Sequence, residues 1–135
     1  MPSQYILVVE DNPADVSLLK QALLEHGVDT EMVVMTDGEK AMKFVDRSRA
    51  ETINAPKLII LDLNLPKRNG REVLEHIRAQ NAWSGVPLAV LSSSAAVRDR
   101  EDAARLGASQ YIRKPLDLDE FIAIGSALKS LLVEE

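Results

Sequence analysis

Five side chains sit where short apolar runs end, and their types suit one another chemically. Glu10 and Asp11 follow "YILVV", Asp62 follows "KLIIL", Ser92 follows "VPLAVL" and Lys114 follows "SQYIR". Asp62 poses the sharpest question, because a charge beside four buried aliphatic residues costs several kcal/mol or so unless it is paired. Three carboxylates drawn together repel, and a hard divalent cation resolves the conflict. Mg²⁺ takes oxygen ligands in octahedral geometry and often uses one or two carboxylates, waters and a phosphate oxygen. Lys114 adds one positive charge that can pair with a carboxylate or a phosphoryl oxygen. Ser92 adds a hydroxyl donor. A carboxylate beside Mg²⁺ and a lysine can act as a phosphoryl acceptor, since neutralisation and positioning carry most of that chemistry.

Such a cluster needs elements that bring distant residues to one place. Short, continuously apolar, β-rich runs predict strands at 5–9, 30–35, 57–61, 86–91 and 109–113. Amphipathic stretches lie between them. Asn12-Pro13 opens a helix with Val16, Leu19, Leu23 and Leu24 on its apolar face, and Gly27 stops it. Asp37 caps a helix carrying Ala41, Met42, Phe44 and Val45, and the polar stretch 47–56 reads as a surface loop. A third helix runs from about Arg71 to Gln80 with Val73, Leu74 and Ile77 inward. The fourth is thin, with Val97, Ala103, Ala104 and Leu106 on its apolar side, and it ends at Gly107-Ala108. Asp117 and Glu120 form a capping-box-like start to the last helix, which buries Phe121, Ile122, Ile124, Leu128, Leu131 and Leu132.

Strands alternating with helices predict an α/β fold, a parallel sheet covered on both faces. All its strand C-termini share one edge, where ligands bind. Four of the five predicted strands end there in the polar or charged residues named above, whereas the second ends in Met35-Thr36.

The 135 residues fit one domain, with no internal repeat or linker. A net charge of −5 argues against nucleic acid as the main partner. The chain has no cysteine, which excludes disulfides, thiol catalysis and Cys-based zinc sites. No apolar run approaches the ~18–20 residues of a membrane span, and "MPSQYILVVED" lacks a signal-peptide layout, so a cytoplasmic protein is expected.

Taken singly, these residues have ordinary alternatives. Asp11 could cap the turn into the first helix, Asp62 could hold an Asx turn before Pro66, and Lys114-Pro115 could be an exposed loop. Their coincidence at one sheet edge favours a site.

"VVEDNPADV", "LIILDLNLPKRNGREVLEHIR", "VLSSSA" and "GASQYIRKP" together resemble the receiver domain of two-component response regulators, over essentially the whole chain. The resemblance implies a flavodoxin-like (βα)5 sandwich with strand order 2-1-3-4-5. It implies Asp62 as phosphoacceptor and Glu10 and Asp11 as the acid pair for Mg²⁺, with the Asn64 carbonyl completing the protein's ligands. It places Ser92 at the switch hydroxyl, Lys114 at the lysine and Tyr111 at the aromatic switch position, and it makes the Lys114-Pro115 bond cis. A sensor histidine kinase would donate the phosphoryl group, and the face formed by helix four, strand five and helix five would change its affinity for a partner. Without the resemblance, Tyr111 is a plain strand aromatic with its hydroxyl in water. The wording "LDLNLPKRNGREVLEHI" and the insertion at 47–56 look most like small regulators paired with bacterial phytochromes. That likeness implies a light-sensing kinase as donor, a homodimer through the helix-four to helix-five face, and output through protein contact or phosphate relay.

Two rivals differ at identifiable positions. A haloacid-dehalogenase-type phosphatase needs a second acid two residues after the nucleophile, where Asn64 stands. A phosphorylation-independent receiver-like interaction module would lack an acid, the acceptor or the lysine, and none is missing. His26 and His76 read as surface histidines and Trp83 as a packing residue, while "VRDREDAAR" reads as a solvated helix face or a partner contact.

Overall fold

Side chains alternate across a strand, so a run that is apolar at every position must be covered on both faces. β1 (Tyr5–Val9), β3 (Leu58–Asp62) and β4 (Leu88–Ser92) are buried at all positions and form the centre of the sheet. β2 (Glu31–Met35) and β5 (Gln110–Arg113) are half-buried edge strands. The computed structural model describes residues 4–51, 53–67 and 69–133. All five strands are parallel in the order β2-β1-β3-β4-β5, the flavodoxin-like arrangement expected.

The alternation divides the core in two. Tyr5, Leu7 and Val9 of β1, Ile59 and Leu61 of β3, and Leu88 and Val90 of β4 face one layer of helices. That layer is α2 (Gly38–Ala50), α3 (Gly70–Ala79) and α4 (Val97–Arg105), with a 3-10 turn at Asn81–Trp83. Ile6, Val8, Leu58, Ile60, Ala89 and Leu91 face α1 (Pro13–Glu25) and α5 (Leu118–Val133). No helix among the described residues is long and apolar enough to cross a membrane.

Local signals set most helix ends. The Asn12 side chain accepts from the Ala14 amide at 2.9 Å, Pro13 occupies the first turn, and Gly27 with φ +80° closes α1. A Cβ on Gly125 of α5 would lie 2.3 Å from the Ala22 carbonyl, so a glycine is what lets α1 and α5 meet. Asp37 caps α2 through the Lys40 amide at 2.8 Å.

Three expectations are corrected. α2 continues through residues 47–50, which were read as loop, because Ser48 is buried with its hydroxyl on the Val45 carbonyl and Arg47 pairs with Glu51 one turn on. On α1, Leu24 is exposed and Ala22 takes the inward place; on α4, Val97 and Ala104 face outward and Ala103 is the buried residue. Asp117 accepts from the Asp119 amide rather than that of Glu120, a cap one residue tighter than the box pattern.

Candidate functional site

β1, β3 and β4 deliver their last residues to one edge, and α1 starts beside them. Asp62 is the final residue of β3 rather than the first beyond it, and it is only 4% exposed. Its Oδ1 accepts from the Asn64 amide at 2.9 Å, so the Asx-type turn and the clustered carboxylate coexist. Glu10 follows β1, is 2% exposed, and stays in line with the sheet through its amide on the Met35 carbonyl. Asp11 is exposed. Glu10, Asp11 and Asp62 each offer a carboxylate oxygen within 4.8 Å of the others. An all-oxygen set with one exposed member suits a hard divalent cation that keeps part of its water shell. Asn64 lies on the adjacent loop and is exposed.

Gly70 holds that loop against the strand. A Cβ there would meet the Leu63 Cα at 2.4 Å and the Asp62 carbonyl oxygen at 2.7 Å, and the Gly70 amide donates to the Leu63 carbonyl. α3 can therefore start directly over the end of β3 only from a residue without a side chain.

Lys114 enters from the opposite side, just past β5. Its amide donates to the Ser92 carbonyl at 2.7 Å, which continues the β4–β5 register by one residue. Its ammonium donates to Glu10 Oε1 at 2.8 Å, Asp15 Oδ2 at 2.9 Å and Asp62 Oδ2 at 3.1 Å. Burial alone would lower the Lys114 pKa, but its hydrogen bonds to Glu10 and Asp15 and the charge of Asp62 outweigh it and raise it. Glu10 moves up to about 7, because burial and the neighbouring Asp62 charge prevail over the hydrogen bond from Lys114. The Lys114-Pro115 bond is trans, against the expected cis form, since the described residues contain no cis peptide. Trans is the favoured isomer by about 0.5–1 kcal/mol for a bond before proline. The next residue, Leu116, is fully exposed.

Ser92 is 1% exposed, and its Oγ accepts from the Ser94 amide at 3.1 Å. The Tyr111 hydroxyl donates to the Ser94 carbonyl at 2.8 Å, so it is not in water as a plain strand aromatic would leave it. Ser92 and Tyr111 are thus joined through the two backbone groups of Ser94. The Arg100 guanidinium lies 5.1 Å from the Tyr111 ring centre. Part of the charged "VRDREDAAR" helix face is bound too. Arg71, at the start of α3, pairs with Asp99 and reaches Asp102 at 3.4 Å. Hydrogen bonding from Ser94, aided by Arg71, holds the Asp99 carboxyl below its usual range.

The sequence reading missed Asp15. A signal was present: Asp15 precedes Leu19 by four and Ala22 by seven residues, so it lies on the buried stripe of α1. His26 bonds the Ala22 carbonyl, His76 pairs with Asp46, and neither joins the site. Trp83 is a packing residue as expected, buried edge-on against Phe44.

Comparison with known proteins agrees with this fold. Residues 6–125 match the response regulator receiver domain family. Response regulator Rcp1 of Synechocystis sp. is 34% identical over 134 residues, covering 98% of this chain and 91% of that protein. Its Mn²⁺-bound crystal structure superposes with a TM-score of 0.84 over 96% of this chain and 94% of that one. The phosphorylated cyanobacterial phytochrome response regulator RcpA superposes with a TM-score of 0.85 at 35% identity, covering 96% and 94%. The transcriptional regulatory protein TcrA of Mycobacterium tuberculosis is 38% identical over 120 residues, and the match spans 87% of this chain but 43% of that longer protein.

Proposed function

The chain belongs to the response regulator receiver domain family, and on that premise we propose that it accepts a phosphoryl group on Asp62 from a phosphohistidine of a sensor histidine kinase. One observation carries the reading: Lys114 donates to Asp62 Oδ2, while Glu10 and Asp11 bring carboxylate oxygens to within 4.8 Å. An Asp62 carboxylate oxygen attacks phosphorus, the phosphorus–nitrogen bond to the donor imidazole breaks, and the imidazole nitrogen leaves with the electron pair. Lys114 stabilises charge on the phosphoryl oxygens in transit. Glu10, Asp11, Asp62 and the Asn64 carbonyl would hold Mg²⁺, which when bound neutralises the crowded carboxylates and the incoming phosphoryl oxygens. Beyond its own phosphotransfer and dephosphorylation the chain catalyses nothing.

The response runs through the Ser92–Ser94–Tyr111 chain. A phosphoryl group on Asp62 gives the Ser92 hydroxyl a stronger acceptor, and moving toward it weakens the bond from the Ser94 amide. The β4–α4 loop then shifts, and with it the Tyr111 anchor and the face of α4, β5 and α5. That face would bind a downstream protein or a second copy of the chain, with no nucleic-acid or membrane partner. The likeness to RcpA supports a phytochrome-type kinase as donor, and the proposed exchange takes place in the cytoplasm. The chain acts as one receiver domain.

Incubation with Mg²⁺ and acetyl phosphate tests the reading. The expected result is a mass gain of one phosphoryl group on Asp62, absent in Asp62→Asn and in EDTA. No modification from acetyl phosphate or from any histidine kinase would leave only a phosphorylation-independent interaction module.

A further inference from the structure

The Lys114 ammonium has three protons, and three carboxylates, from the loop after β1, from α1 and from β3, take them. Glu10 and Asp62 belong to the cation-suited cluster, whereas Asp15 does not. Asp15 stands in the first turn of α1, with a side chain 19% exposed against 15% for Lys114. Its backbone is fixed: Asn12 caps the turn, and the Gly125 contact at Ala22 seats the helix on α5. An oxygen of the cluster changes character during the reaction. Once Asp62 is converted to an acyl phosphate, the oxygen linking carbon and phosphorus is a poor acceptor. Asp15 is the one partner of the three that lies outside both the acceptor carboxylate and the cation-suited cluster.

We propose that Asp15 is a positioning residue for Lys114, tethering the ammonium within reach of the phosphoryl oxygens while its contacts to Asp62 and Glu10 change. The assignment rests on the reading of Asp62 as acceptor. A bland alternative gives Asp15 only an α1-stabilising role, as an acid near a helix N-terminus. The two differ in whether Lys114 mediates the effect.

The test uses the full chain with Mg²⁺ and acetyl phosphate, following phosphoryl-Asp62 by mass spectrometry in Asp15→Ala, Asp15→Asn, Lys114→Ala and the double variant Asp15→Ala/Lys114→Ala. Asp15→Ala should load roughly tenfold more slowly, the scale typical of lost supporting contacts at ion sites. Asp15→Asn keeps an oxygen acceptor and should recover most of that rate. In the Lys114→Ala background, Asp15→Ala should change nothing further. Equal rates for Asp15→Ala and the parent chain, or the same loss persisting without Lys114, would overturn the proposal. A urea-unfolding cycle in EDTA over the same variants reads the contact independently of phosphorylation: non-additive midpoints are expected, and additive ones overturn it. If the parent chain itself never loads, the acceptor reading fails, while this cycle still decides whether Asp15 holds Lys114.

Discussion

Lys114 Nζ lies 2.8 Å from Glu10 Oε1, closer than to Asp62, although 104 residues separate the two in sequence. The lysine is thus committed first to a carboxylate whose own pKa stands at about 7, against an ordinary 4.5, because burial and the Asp62 charge prevail. In the folded chain Glu10 therefore keeps a proton that the unfolded chain gives up. Folding takes up that proton between about pH 4.5 and pH 7, so stability falls as pH rises through this window. In EDTA the unfolding free energy from urea titrations should fall by an amount on the order of 1–3 kcal/mol between about pH 5 and about pH 7.5, and Glu10→Gln should flatten the slope. A flat profile in the parent chain would refute the crowding.

Removing the Asp62 charge should stabilise the cation-free protein. Asp62→Asn retains an oxygen for the Asn64 amide and leaves Lys114 with Glu10 and Asp15, while it relieves repulsion on Glu10. A gain of about 1 kcal/mol, a rise of roughly 3 °C or more in Tm, is expected in EDTA. Saturating Mg²⁺ should shrink or reverse the difference. Calorimetry of both proteins with and without Mg²⁺ measures it, and an unchanged or lower Tm in EDTA would count against the prediction.

Gly70→Ala should damage the site through the backbone. The added methyl would sit 2.4 Å from the Leu63 Cα, so the start of α3 must move off the end of β3. We expect a loss of about 1–3 kcal/mol, the range for overpacking, together with slower loading of Asp62. Gly85→Ala, where a Cβ meets nothing within 4 Å, serves as the control and should behave like the parent chain.

Tyr111→Phe removes the hydroxyl that holds the Ser94 carbonyl and leaves the ring under Arg100. The global cost should be about 0.5–1.5 kcal/mol. Amide exchange in the β4–α4 loop and the first turn of α4 should quicken more than that in β3, because the lost bond pins that loop locally. Hydrogen-exchange mass spectrometry of peptides spanning 90–100 would show it, and uniform exchange changes would argue against local pinning.

The sheet edge was legible because short, nearly all-apolar strands of 5 residues leave little choice of where a parallel strand stops. That places Glu10, Asp62 and Ser92 within about one residue, and Asp62 proved to be in the strand rather than past it. The target of Lys114 was not readable, since a long flexible side chain reaches any of several carboxylates and only packing selects among them. Asp15 was hidden for a different reason. An acid in a first helical turn is ordinarily explained by the helix dipole, so its place on the buried stripe passed unremarked. The extent of α2 was misread because residues 47–50 are mostly polar, and their helicity comes from Ser48 turning inward and from an ion pair one turn long.

The span between Glu10 and Lys114 also bears on when the acceptor can exist. Synthesis delivers β1 and β3 first, so a nascent chain holds both Glu10 and Asp62 well before the residue that neutralises them has emerged. Until β5 aligns beside β4, those carboxylates have no ammonium between them, and closing the site is costly. If Asp62 is the acceptor proposed above, competence for phosphotransfer arrives together with the last strand, and a ribosome-bound fragment ending before residue 109 is expected to load poorly.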